Sequence, residues 1–265
     1  MNALDLLYSQ GFGTRRHCIA LVEEGFFEIN VLHGSSEVRF EVLKDPYLPV
    51  ADCLSLNTQV EPQQPKSLEG LAYQVENIVW AYHVSAYVML NKPMGIECSQ
   101  KPSNWPSVYT LLPAPLRQRP RKGSSPGVQA VGRLDQDTTG LLLLSDDGQF
   151  IHKMSSPKHH VPKIYEVTTE DPLEQSVCDK LLKGVQLKDE YELVLAQQAE
   201  LTGEFNLKLT LTQGKYHQVK RMLAATGHKV IKLHRCCIGN LGIPDDLPEG
   251  NWRWLSKEEI DALFL

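Results

Sequence analysis

Arg133, Asp135, Asp137 and Thr139 alternate along one polar stretch, residues 132–140, set between the apolar segments 128–131 and 141–144. A carboxylate pinned at a strand end is placed where folds commonly carry chemistry. It can act as nucleophile or general base at neutral pH with no activated cofactor. Two carboxylates two residues apart could instead share a divalent cation, and taken alone the stretch favours that metal site. A structural turn, with Asp135 or Asp137 capping backbone amides, is the plainer alternative.

The elements that must position this stretch follow from the periodicity around it. Segments 128–131 and 141–144 read as strands, and 149–155 suits a helix. Next come a strand over 163–169, a helix over 174–182 stopped by Gly184, and strands over 191–199 and 205–211. A helix over 218–225 ended by Gly227, a strand over 230–237 and a final helix opened by Ser256 and Glu259 complete the chain. Upstream, Asn2 and Thr14 can cap two short helices ended by Gly11 and Gly25, followed by a strand over 26–31. Prolines and glutamines weaken the pattern over 34–70, which reads as an insertion or linker, and 73–82 reads as the last strand of a small domain. An apolar run, 87–90, opens a large one. Pro106 starts a short helix over 107–112, and 117–127 reads as a mobile basic loop. Strands outnumber helices and are mostly joined by turns, so the expected class is α+β with a mixed, mainly antiparallel sheet flanked by helices.

At 265 residues, two domains are expected, 1–83 and 84–265. Taken alone, the net charge of −5 argues against nucleic acid, but its distribution does not. Residues 1–83 hold eleven acids against five bases, whereas 205–235 holds seven bases and no acid, so a positive face can form on an acidic protein. No apolar stretch approaches a membrane span and the N-terminus lacks the pattern of a signal peptide, which predicts a soluble, cytoplasmic monomer. The six cysteines contain no C-x-x-C pair and read as reduced thiols.

Asp135-x-Asp137-x-Thr139 matches the aspartate loop of magnesium-dependent phosphohydrolases, but no second acidic Gly-Asp-x-x-x-Asp element accompanies it. It also mimics part of a calcium loop, yet strands rather than helices flank it. Three segments taken together point elsewhere: Gly132-Arg133-Leu134-Asp135 with Thr139-Gly140 and the four leucines after it; Lys163-Ile164-Tyr165-Glu166-Val167; and Gly214-Lys215-Tyr216-His217-Gln218-Val219-Lys220-Arg221-Met222. Their order and spacing over residues 86–256 resemble a pseudouridine synthase. Ser156-Pro157-Lys158-His159-His160, Lys183-Gly184-Val185, Leu233-His234-Arg235 and Ile238-Gly239 resemble more narrowly the branch that modifies bacterial small-subunit (16S) ribosomal RNA. The two capped helices and the strand after them resemble the S4 domain, a small RNA-binding module that members of this branch carry at the N-terminus.

The resemblance implies an S4-like RNA-binding domain followed by a pseudouridine synthase catalytic domain. It implies an RNA-uridine isomerase that flips a base out, breaks N1–C1′, rotates the uracil and joins C5 to C1′. The target would be one uridine of 16S rRNA, position 516 in bacterial numbering, in free RNA or a partly assembled subunit. No nicotinamide, nucleotide or metal cofactor is implied. Asp135 would be the essential aspartate, Lys220 its basic partner and Tyr165 the ring packed on the target base. Arg133 would fill the gap left by the flipped uridine, and Asp137 would be structural. Arg15, Arg16, Arg119, Arg121, Lys122, Lys158, His159, His160, Lys163, Lys215, His217, Arg221 and Arg235 are candidate RNA contacts. A non-catalytic RNA-binding assembly factor, or the phosphohydrolase, are the competing readings.

Overall fold

A computed structural model describes residues 1–32, 38–55, 68–120, 127–156 and 159–264. The chain divides into two compact units: Met1–Ala86 with Pro113–Val128, and Tyr87–Leu112 with Gln129–Leu265. The expected division at 83/84 gave residues 113–128 to the large domain. They belong to the first unit, and Arg119 supplies the reason. Its side chain is 2% exposed. It donates to Gln10 Oε1 at 2.7 Å and to the carbonyls of His83 at 2.7 Å and Val84 at 3.2 Å. A buried guanidinium survives only with such partners. Arg119 is therefore a structural tie rather than an exposed phosphate contact, and the expected basic loop begins as helix α4 (Ala114–Gln118).

In the first unit, α1 (Ala3–Gln10) starts where Asn2 Oδ1 accepts from the Asp5 amide at 2.7 Å, and α2 (Arg15–Glu23) where Thr14 accepts from His17. Gly11 ends α1 at φ 89°; a Cβ there would lie 2.1 Å from the Pro115 carbonyl, so glycine is required twice over. Strands β1 (Phe27–Leu32), β2 (Val38–Val42), β3 (Ala72–Val75) and β4 (Ile78–Ala81) form an antiparallel sheet in the order β2-β1-β3-β4. The single strand expected over 73–82 is a hairpin: Glu76 and Asn77 both take positive φ, the turn geometry that suits strand twist. The expected insertion also contributes to the fold. Within 34–70, β2 and helix α3 (Val50–Ser55) are ordered elements, and Leu43, Val50 and Cys53 join the core of Leu6, Leu7, Phe27, Ile29 and Tyr73.

The second unit is built on β5 (Tyr87–Lys92), β6 (Gln129–Val131), β7 (Thr139–Ser145), β8 (Lys163–Thr169), β9 (Gln198–Gly203), β10 (Asn206–Leu211), β11 (Val230–Ile238), β12 (Leu241–Gly242) and β13 (Trp252–Trp254). Their order is β13-β5-β7-β11-β8-β10-β9, with β6 on β7 and β12 on β11; only β11 and β7 run parallel. This is the mixed, mainly antiparallel sheet of an α+β fold. Helices α5 (Gly148–Ser155), α6 (Gln175–Lys183), α7 (Gln218–Ala225) and α8 (Lys257–Ala262) accompany it, the last with its Ser256–Glu259 capping box. Leu141 to Leu144 are all fully buried because β7 lies inside the sheet and packs on both faces. The strand expected over 191–199 begins only at Gln198. Val194 and Ala196 alternate inward as a strand would, but apart from one bridge to Val185 that stretch is not laddered.

Among the described residues no helix is long and apolar enough to cross a membrane, and all six cysteines are free thiols.

One close approach ties the sheet to the polar stretch. Gly140 has φ 105°, and a Cβ there would meet the Arg235 carbonyl at 2.4 Å. Gly140→Ala should therefore cost roughly 1–3 kcal/mol by forced overpacking. The loss would be read as a lower urea midpoint at unchanged m-value. An unaltered midpoint would show that β7 and β11 are not held this closely.

Candidate active site

The loop between β6 and β7 carries Asp135, and a buried lysine fixes its path. Lys92, at the end of β5, is fully buried, and its Nζ donates to the carbonyls of Pro93 (3.0 Å), Gln136 (3.3 Å) and Thr138 (2.9 Å). Burial pulls its pKa below the ordinary lysine value, against the opposing pull of the Asp137 and Asp135 carboxylates. The Gly95 amide adds a bond to Gln136 O at 2.8 Å, and the Thr138 amide closes a turn on Asp135 O. Lys92 went unnoticed in the sequence. Its signal was a lysine ending an otherwise apolar strand directly before a proline.

Asp135 meets a lysine and a histidine from the start of α7. Lys220 Nζ lies 3.4 Å from Oδ2 and His217 Nε2 lies 3.3 Å from Oδ1. Lys220 is closer still to Asp137, at 2.5 Å. Asp137 is thus more than a turn former: it shares the ammonium with Asp135. Burial alone would raise the Asp137 pKa, but the bond and charge of Lys220 outweigh it and hold the carboxyl below its ordinary value. One ammonium bridging both carboxylates takes the place that a metal would need in the D-x-D-x-T reading. Among the described residues, no group of three His, Cys, Asp or Glu is placed to hold a metal ion.

Asp135 opens on a cleft of about 410 Å³, also lined by Arg133, Lys163, Tyr165, Leu211, Lys215, Tyr216, His217, Leu233 and Arg235. Tyr165 is 8% exposed and sits in β8 opposite Arg235 of β11. Lys220 touches the carboxylates without itself lining the cleft. His217 begins α7 in the left-handed region, at φ 46°, and stacks at 3.8 Å on Tyr216, an aromatic left 76% exposed. A non-glycine residue in that conformation is strained, a feature common at functional sites. His217, expected only as an RNA contact, lies instead against the carboxylate.

The other expected RNA contacts divide. Arg133, Arg16, His159 and His160 are exposed. Arg15 is exposed but pairs with Asp5 at 2.9 Å and lies over the Tyr8 ring. Lys215 (2.5 Å) and Arg221 (3.9 Å) both reach Glu190, an acid distant in sequence whose pairing no local pattern signals. Lys163 faces the cleft, whereas Arg235 is 2% exposed and donates from Nε to Leu141 O at 2.8 Å, so it is no surface phosphate contact. Arg121, Lys122 and Lys158 lie outside the described residues.

Fold and cleft define a class: an α+β enzyme with one oriented carboxylate facing a base-sized, cation-lined cleft. Residues 86–225 match the family described as RNA pseudouridylate synthase. The ribosomal small subunit pseudouridine synthase A of Haemophilus influenzae is 40% identical over 195 residues, which is 74% of this chain and 80% of its own. That of Escherichia coli K12 is 42% identical over 181 residues, 68% and 75% of the two chains. A crystal structure of a pseudouridylate synthase superposes with a TM-score of 0.62 at 31% identity, covering 99% of each chain. The chain belongs to the RNA pseudouridylate synthase family, whose members are isomerases.

Replacing Lys92 by Met removes the donor shared by the loop carbonyls of Gln136 and Thr138 and by that of Pro93. Leaving such buried acceptors unpaired costs about 1–3 kcal/mol each. Lys92→Met should therefore melt well below the wild type, with faster amide exchange at Thr138; exchange unchanged at Thr138 would remove Lys92 as the anchor of the loop.

Proposed function

We propose that this protein converts a uridine of small-subunit ribosomal RNA to pseudouridine, at the single 16S site inferred from the sequence, with Asp135, Tyr165 and Lys220 as its working groups. The observation that carries the reading is the Asp135 carboxylate, bridged to Lys220 and facing a cleft floored by Tyr165. The ammonium, 3.4 Å from Oδ2, orients the half-buried carboxylate toward the cleft. Such a carboxylate can attack or assist at the ribose while the base is detached.

Tyr165 offers a mostly buried aromatic face on which a flipped uracil can pack and a hydroxyl able to relay the C5 proton. Arg133, exposed at the cleft, suits the gap that the flipped base leaves; flipping itself costs a few kcal/mol of stacking and pairing. In the first unit, the paired helices α1 and α2 with exposed Arg15 and Arg16 support its reading as an S4-type RNA-binding module. The names of the Haemophilus and Escherichia relatives support the small ribosomal subunit as the source of the substrate.

Purified protein incubated with 16S rRNA should yield one new pseudouridine, mapped by carbodiimide modification and primer extension. Asp135→Asn should lose at least the roughly 10²- to 10⁴-fold that a positioned acid–base group contributes, with RNA binding little changed. Conversion by Asp135→Asn at the wild-type rate would sink the assignment.

A further inference from the structure

The floor of the cleft holds two cations and, among the described residues, neither has a carboxylate partner. Lys163 and Tyr165 are two apart in β8 and so project from the same face of the sheet. Arg235 stands directly opposite Tyr165 on β11, which puts it on that face too and diagonal to Lys163. Among the described residues, Lys163 donates to the Val161 carbonyl at 3.0 Å. Arg235 donates from Nε to Leu141 O, and its Nη2 is buried with no acceptor. Burial, and after it the charge of Arg235, push the Lys163 ammonium down to about 8. The charge of Arg235 repels the Lys163 ammonium across the strands, so this pair lowers the stability of the empty cleft. An arriving anion would relieve that cost.

The reaction supplies such an anion inside the cleft. When N1–C1′ breaks, its electron pair leaves with the ring, on N1 and by delocalisation on O2 and O4. The ribose C1′ is left electron-poor beside Asp135. After the ring turns, C5 bonds to C1′ with that pair, C5 gives its proton to a base, and N1 takes one up. Atoms and charge balance, and nothing is oxidised.

We propose that Lys163, with Arg235 buried behind it, is the cationic site that holds an exocyclic oxygen of the detached uracil anion. This rests on the reading of the cleft as a uridine isomerase site. Lys163 is adjacent to the ring on which the base would pack, whereas Arg133 is exposed and suits the gap that the flipped base leaves. Charged or titratable groups that line the cleft with Lys163 are Tyr165 from its own strand, Arg235 from β11, and Asp135, Arg133, Lys215, Tyr216 and His217 from the other walls; β10 presents Leu211 beside it. The site acts on the developing charge, so its loss should fall on the rate of the saturated enzyme rather than on RNA affinity.

The test is single-turnover conversion of 16S rRNA by the full-length protein. Lys163→Gln should lower the saturated rate by roughly 10²-fold, the scale of one lost oxyanion donor, with RNA affinity nearly unchanged. Lys163→Arg, which keeps the charge, should retain most of the rate. At low RNA concentration, where the free enzyme's ionisations are read, the wild-type rate should fall as pH rises through about 8, and that fall should move to higher pH in Lys163→Arg. A wild-type saturated rate in Lys163→Gln, a loss confined to RNA affinity (the signature of a phosphate contact), or identical pH profiles would each overturn the proposal. Asp135→Asn run alongside separates the two readings. Its activity would remove the isomerase assignment and this inference together; an inactive Asp135→Asn beside a fully active Lys163→Gln removes this inference alone.

Discussion

Lys220 sets one ammonium between two carboxylates, 2.5 Å from Asp137 and 3.4 Å from Asp135. The loop between β6 and β7 could take many paths, and this contact selects one. Asp137 acts as the anchor and leaves Asp135 the longer, weaker contact, so the anchored lysine orients Asp135 without fully neutralising it. His217 on the other oxygen completes the orientation. Because His217 stands at the N-cap of α7 and Lys220 in its first turn, the position of that helix against the loop sets the geometry of the carboxylate.

A second lysine acts on the same loop from the opposite chemistry. Lys92 meets backbone carbonyls rather than carboxylates, and it lies wholly out of water. Gly140 then brings β7 against β11 so closely that Arg235 is enclosed under the cleft. The site is thus held by the sheet and by buried polar ties. The cations that face open water, such as Arg16 and Arg133, are free to meet a polyanion.

Much of this was legible in the sequence where local pattern carries the information. Caps at Asn2, Thr14 and Ser256, the alternation of β8 and β10, and the glycine stops after α6 and α7 are short-range signals, and the elements formed there. What escaped was set by distant partners. Arg119 looks like any surface arginine until Gln10 and His83 surround it. Lys215 and Arg221 look free until Glu190 meets them, and Lys92 shows its role only once the loop over it is seen. The hairpin at Glu76-Asn77 was missed because neither residue is the glycine that usually announces two left-handed conformations in a row.

The burial of Arg119 bears on the order in which the chain assembles during synthesis. The first unit needs residues 113–128, so it cannot close when residue 86 emerges and must wait while β5 is made. Strand β5 in turn waits for its partner β13 (Trp252–Trp254), which follows all the other strands of the sheet in the chain. Both units therefore stay incomplete while the intervening chain is made, a period in which exposed apolar strands are vulnerable to mispairing. For the same reason the N-terminal unit is not a detachable cassette: cut at residue 86, it would leave its own arginine clasp behind.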